Sequence, residues 1–155
     1  MLRILVLHGP NLNWLGRREP EVYGDQTLDD IHQKLDAAGQ SLGIRLQMYQ
    51  SNHEGALIDR LQAAVTEPGE LADGILLNPG ALAHYSLALA DAVRSIRPIP
   101  VVEIHLSNTA AREEYRTRAL VGAACMARVE GWGAASYLLG LHGLVTHLRS
   151  AALAE

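Results

Sequence analysis

Five times along this chain a short apolar run is followed by a segment with helical periodicity, and most of the connections between them are short. Residues 2–7 are apolar except for Arg3 and stop at Gly9-Pro10-Asn11, as suits a buried parallel strand. Thr27, with Asp30 three positions on, caps a helix whose apolar positions Leu28, Ile31, Leu35 and Ala38 follow a 3.6-residue period, with Gly39 or Gly43 ending it. Residues 44–49 alternate as a strand. Asn52 or Ser51 then caps a helix through Leu57, Ile58, Leu61, Ala64 and Val65 that stops at Pro68-Gly69. Residues 74–77 are a third strand, 82–96 a helix, 99–105 a fourth strand and 108–118 a shorter helical piece. Residues 125–129 form the fifth strand, and a last apolar helix starts at Gly133. Such alternation predicts an α/β fold, a five-stranded parallel sheet with helices on both faces. In such sheets ligands bind beyond the carboxyl ends of the strands, so Leu7, Tyr49, Leu77 and His105 mark where function is expected.

Composition narrows the class. At 155 residues the chain suits one domain, spanning 1–155, with a core that needs no staple. Thirteen basic against 17 acidic residues argue against a nucleic-acid coat. The single cysteine, Cys125, allows no internal disulfide and fits a reducing compartment. No apolar run reaches the roughly 18 residues of a membrane span, and the N-terminus lacks a signal-peptide pattern, so a cytoplasmic protein is expected.

The strand ends carry similar chemistry. HGPNLN follows the first, QSNHEG the second, NPGALAHYS the third, and EIHLSN closes the fourth. Asn, Ser and His beside Gly can hold a small, oxygen-rich ligand through directed hydrogen bonds, although the same residues also serve as ordinary turn formers. Glu103 and His105 are more specific. Two apart on a strand, they face one side, where a carboxylate fixes the imidazole tautomer and suits it to act as a general acid. A buried ion pair without catalytic work is the other reading of that spacing.

The connection from Asn13 to Gln26, at 14 residues, is long enough for an active-site lid. It carries Arg17, Arg18 and Tyr23, and arginines beside a phenol stabilise its phenolate, which makes Tyr23 a candidate base. A solvated loop with a surface tyrosine fits the spacing equally well. Arg112 and Arg116, four apart, share a helical face and either bind a carboxylate or form part of a solvated charged surface. There is no phosphate-loop, dinucleotide or zinc-protease motif. The only lysine, Lys34, lies far from every strand end, so Schiff-base chemistry lacks a nucleophile.

Taken in order, LHGPNLNWLGRREPEVYG, YQSNHEGALID, NPGALAHYSLALADA and VVEIHLSNTAAREEYR resemble the type II 3-dehydroquinate dehydratases over nearly the whole chain. The resemblance implies a flavodoxin-like fold, a homododecamer built from trimers, and dehydration of 3-dehydroquinate to 3-dehydroshikimate without cofactor or metal. It also implies Tyr23 as the base, activated by Arg18 and Arg112, and His105 as the general acid, oriented by Glu103. By the same resemblance Asn11 holds a water that stabilises an enolate, and Asn78 with the backbone of Leu106 and Ser107 binds the substrate carboxylate. His84 and Arg116 would bind ring hydroxyls, and Asp91 would reach in from a neighbouring subunit. The chain departs from the family pattern at Ala83, Tyr85, Ala90 and Ala110 and over the block after Arg118, none of which is a matched catalytic position.

Two rivals come from other classes. A flavodoxin-like receiver of flavin or phosphate needs a Ser/Thr/Gly-rich cradle after the first strand, where HGPNLN stands instead. A lapsed relative kept for assembly would not need Arg18, Tyr23, Glu103 and His105.

Overall fold

The computed structural model describes residues 1–17 and 19–154. Strands β1 (Arg3–His8), β2 (Arg45–Gln50), β3 (Gly74–Asn78), β4 (Val101–His105) and β5 (Ala127–Glu130) form one sheet in the order β2-β1-β3-β4-β5. Every pairing is parallel, with His8 level with Gln50 on one side and with Asn78 on the other. This is the flavodoxin-like arrangement, with its change of winding direction between β1 and β3.

Side-chain alternation divides the interior into two cores. Leu5, Leu7, Ile75, Leu77 and Val101 pack with Leu57 and Leu61 of α3 (Glu54–Thr66) and Leu89 and Val93 of α4 (Leu87–Ser95). Ile4, Val6, Leu76, Val102 and Ile104 pack instead with Ile31 and Leu35 of α2 (Leu28–Leu42) and Tyr137, Leu141 and Leu144 of α5 (Ala135–Ala152). Helices therefore cover both faces, as the apolar strand runs require. A one-turn helix α1 (Pro20–Tyr23) and a 3-10 turn over Leu12–Trp14 occupy the long connection after β1.

The capping expectation at α2 is met. The Asp30 backbone N–H donates to Thr27 Oγ1 at 3.2 Å and the Thr27 N–H donates to Asp30 Oδ2 at 2.9 Å. Gly43, left-handed at φ 64°, ends this helix, while Gly39 is buried inside it. At α3 the N-cap is His53, without a side-chain bond. Ser51 Oγ contributes by accepting the His53 N–H at 3.0 Å.

Two expected helices differ. The 82–96 segment splits into a 3-10 turn over Gly80–His84 and α4, because Ser86 caps a new start by accepting the Leu89 N–H at 2.9 Å. The 108–118 segment is two 3-10 turns, Thr109–Ala111 and Glu114–Arg116, with Arg112 extended between them. Arg112 and Arg116 therefore do not share one helical face.

Candidate active site

A pocket opens at the carboxyl ends of β1, β3 and β4. Pro10, Asn11 and Leu12 line it from β1; Asn78, Gly80, Ala81 and His84 from β3; His105, Leu106, Ser107, Thr109, Arg112 and Arg116 from β4. The winding change puts these three strands side by side. The second strand end, QSNHEG, stays out of the pocket lining, since β2 lies at the sheet edge beyond β1. Its contribution is indirect: Asn52 Oδ1 accepts the Asn11 N–H at 2.9 Å. That contact braces a sharp turn, since Asn11 has φ 67°, a left-handed conformation that Asn tolerates better than most residues.

Glu103 and His105 do face one side of β4. His105 Nε2 lies 3.1 Å from Glu103 Oε1, and the carboxylate is fully buried. The other oxygen, Oε2, is 2.8 Å from Arg128 Nε. Both contacts are at ion-pair distance without an aligned hydrogen bond. A buried carboxylate is tolerated only when partners meet it, and here an imidazole stands at one oxygen and a guanidinium at the other. Arg128 is in turn held by Glu130 Oε2 at 3.0 Å and Thr109 Oγ1 at 3.2 Å.

His84 stacks against His105 with ring centroids 6.1 Å apart, and its Nδ1 is 2.7 Å from the Arg118 carbonyl, to which it can donate. Burial, more than any neighbouring charge, pushes the His84 pKa below that of a free imidazole. Arg112 Nη1 reaches Ser107 Oγ at 3.5 Å and its Nε lies 3.5 Å from Glu113, while Arg116 Nε lies 3.1 Å from the same Glu113 carboxylate. Both arginines reach the pocket, from separate turns.

Asn78 is buried at the end of β3. Its Nδ2 donates to Tyr137 Oη at 3.0 Å and its Oδ1 accepts the Gly80 N–H at 3.2 Å. Leu106 is fixed by its carbonyl, which accepts the Gly133 N–H at 2.9 Å.

The structure gathers Asn11, Asn78, His84, His105, Leu106, Ser107, Arg112 and Arg116 around one pocket, with Glu103 behind His105. Asp91 does not line it. That residue is exposed on α4, 3.0 Å from Arg94 Nη1. On α4 the core side is Leu89, Ala90, Ala92 and Val93, whereas Leu87 and Ala88 face solvent. Arg18 lies outside the described residues, as does the Tyr23 side chain, whose backbone ends α1. Sequence reasoning missed Arg128, Thr109 and Tyr137. Only Arg128 left a trace, as a charged residue within a predicted strand.

Among the described residues no cluster of His, Cys, Asp and Glu could hold a metal ion, and no helix is long and apolar enough to cross a membrane. The pocket offers hydrogen-bond donors, two guanidinium groups and an imidazole backed by a carboxylate. Such a set can bind an anionic polyol and move a proton.

Comparison with known proteins agrees in fold and sequence. The family model described as "Dehydroquinase class II" matches residues 2–145. A 3-dehydroquinate dehydratase of Geotalea daltonii is 47% identical over 148 residues, covering 96% of this chain and 99% of the relative. A second, of Desulforudis audaxviator, is 49% identical over 144 residues, covering 93% of each chain. The crystal structure of the type II dehydroquinase from Butyrivibrio crossotus superposes with a TM-score of 0.89 at 39% identity, covering 92% of this chain and 97% of that one. On that span and that identity, this chain belongs to the class II dehydroquinase family.

Proposed function

We propose that this hydro-lyase converts 3-dehydroquinate to 3-dehydroshikimate in two proton-transfer steps carried by separate groups. Family membership supports the reaction. The observation that carries the division of labour is His105, in the pocket wall with Glu103 buried 3.1 Å behind it.

Tyr23, activated as the phenolate by Arg18 and Arg112, removes the proton alpha to the ketone. The electron pair moves onto the ketone oxygen as an enolate, which a water held by Asn11 stabilises. His105 then protonates the departing hydroxyl, the enolate collapses, and water leaves. The Asn78 amide and the Leu106–Ser107 backbone bind the substrate carboxylate, while His84 and Arg116 hold ring hydroxyls. No step calls on a metal or an organic cofactor.

Asp91 completes the pocket of a neighbouring subunit in a dodecamer built from trimers. Supporting this, Asp91 projects from an exposed α4 face that also carries Leu87, which is 66% exposed, and exposed Tyr85 and Tyr115 line a second cleft that shares Ala81, His84 and Arg116 with the pocket. Exposed apolar residues around an active site suit a face covered in an assembly.

The test is direct. The product is a conjugated enone, so purified protein mixed with 3-dehydroquinate should give growing ultraviolet absorbance. A flat trace from folded protein would overturn the assignment.

A further inference from the structure

Behind the pocket runs a buried chain of polar groups of which the proposed chemistry uses only Asn78. His8 and Asn78 are adjacent in the β1–β3 register, and both side chains lie on the α5 side of the sheet, with Tyr137 between them. His8 Nδ1 is 2.7 Å from Tyr137 Oη, and Asn78 Nδ2 is 3.0 Å from that same oxygen. His8 Nε2 is 3.0 Å from Nε2 of His32, a half-buried residue of α2. His8 and Tyr137 are fully buried and Asn78 nearly so.

The direction of every bond in this chain follows from one contact. The Gly80 N–H donates to Asn78 Oδ1, so the amide nitrogen is the atom facing Tyr137 and must donate there. The Tyr137 oxygen thus accepts from Asn78, and its own proton has one acceptor among the described residues, His8 Nδ1. With Nδ1 accepting, a neutral His8 carries its proton on Nε2 and donates it to His32 Nε2. Burial, assisted by His32, pushes the His8 pKa down to about 3, which keeps the ring neutral. Burial likewise holds the proton on Tyr137, whose pKa it raises.

The same logic extends into the pocket. Asn78 Nδ2 has two protons, and Tyr137 takes one. The other is left for a ligand in the pocket that Asn78 lines. If the amide rotated by half a turn, two donors would meet at Gly80 and its N–H would lose the Asn78 acceptor, at the cost of an unmade, partly buried hydrogen bond.

We infer that Tyr137 and His8 are positioning residues that lock the Asn78 amide with one N–H presented to the substrate carboxylate, His32 closing the chain at the surface. The inference rests on the assignment of Asn78 to the substrate carboxylate made above. The locked geometry itself does not.

Neutron diffraction from deuterium-exchanged crystals of the wild-type protein at neutral pH reads the lock directly. Deuterium should appear on His8 Nε2 and not on Nδ1, and on Tyr137 Oη directed at His8. Deuterium on His8 Nδ1 overturns the inference. Kinetics then read its consequence. Tyr137→Phe should raise KM for 3-dehydroquinate roughly tenfold and leave kcat within about threefold, the size expected for loosening one buried hydrogen-bonded contact. His8→Leu should raise KM similarly. His8→Asn, whose side-chain oxygen can take the place of Nδ1 as acceptor, should recover part of that loss. A purely structural role would lower the melting temperature of all three variants and leave KM alone. An active wild type with unchanged KM in folded Tyr137→Phe overturns the positioning role and leaves the dehydratase reading intact. A wild type that does not turn over 3-dehydroquinate overturns the dehydratase reading and leaves the neutron result standing.

Discussion

His8 also shows how a buried residue contributes to the acid response of the fold. In the folded chain its pKa is held at about 3, against 6.5 for a free imidazole. Between those values the unfolded chain binds a proton that the folded chain refuses. Stability is therefore complete above about pH 6.5 and declines as the pH falls toward 3, by up to roughly 5 kcal/mol from this residue. His32 and His84, also depressed by burial, push in the same direction. Thermal melts should accordingly show a larger loss of melting temperature between pH 7 and pH 4.5 for the wild type than for His8→Leu. Parallel losses would mean that His8 is not neutral in the fold. Glu103 shows a different solution to burial: its two carboxylate oxygens are met by His105 and Arg128.

At the level of elements, periodicity located the strands to within a residue or two, because apolar runs buried on both faces leave strong signals in β1, β3 and β4. Capping chemistry was legible where a side chain caps its own helix, as at Thr27. It was not where a cap interrupts an otherwise continuous pattern, as at Ser86, which splits the expected 82–96 helix. The site divided in the same way. Glu103 and His105 were legible because strand geometry alone joins them, and the pocket residues after β1 and β3 because parallel sheets bind at strand ends. Arg128 and Tyr137 were not, since they join the site from β5 and α5 through contacts that no local spacing encodes.

The closest packing between α5 and the sheet supplies an element-scale prediction. A Cβ on Gly140 would collide with Ile104 Cδ1 of β4, whereas one on Gly143, on the open side of the helix, would meet nothing within 4 Å. Gly140→Ala should therefore destabilise by roughly 1–3 kcal/mol through overpacking, despite its better helix propensity. Gly143→Ala should stabilise by about 0.5–1 kcal/mol. Denaturant titration measures both. Equal and same-signed changes would show that α5 does not sit this close to β4.

For the whole molecule, Asp91 decides whether one chain makes a complete site. Its carboxylate faces outward from α4 and pairs with Arg94, so it meets the proposed chemistry only if a second copy brings it there. Tyr23→Phe, lacking the proposed base, should lose about 10²–10⁴ in turnover. Asp91→Ala should also be severely impaired. Co-refolded in equal amounts, the two variants should regain about a quarter of wild-type activity, since one pocket in four then combines an intact Tyr23 with a neighbour's intact Asp91. No recovery in oligomers shown to be mixed would place Asp91 outside any shared site.

The central claim is that proton abstraction and hydroxyl loss are carried out by different groups, with His105 serving only the second. Incubating His105→Ala with 3-dehydroquinate in deuterium oxide, and following both product absorbance and deuterium at the alpha carbon by mass spectrometry, tests it most directly. The account predicts that deuterium still enters recovered 3-dehydroquinate when product formation has nearly stopped. Loss of exchange in parallel with loss of product would contradict it.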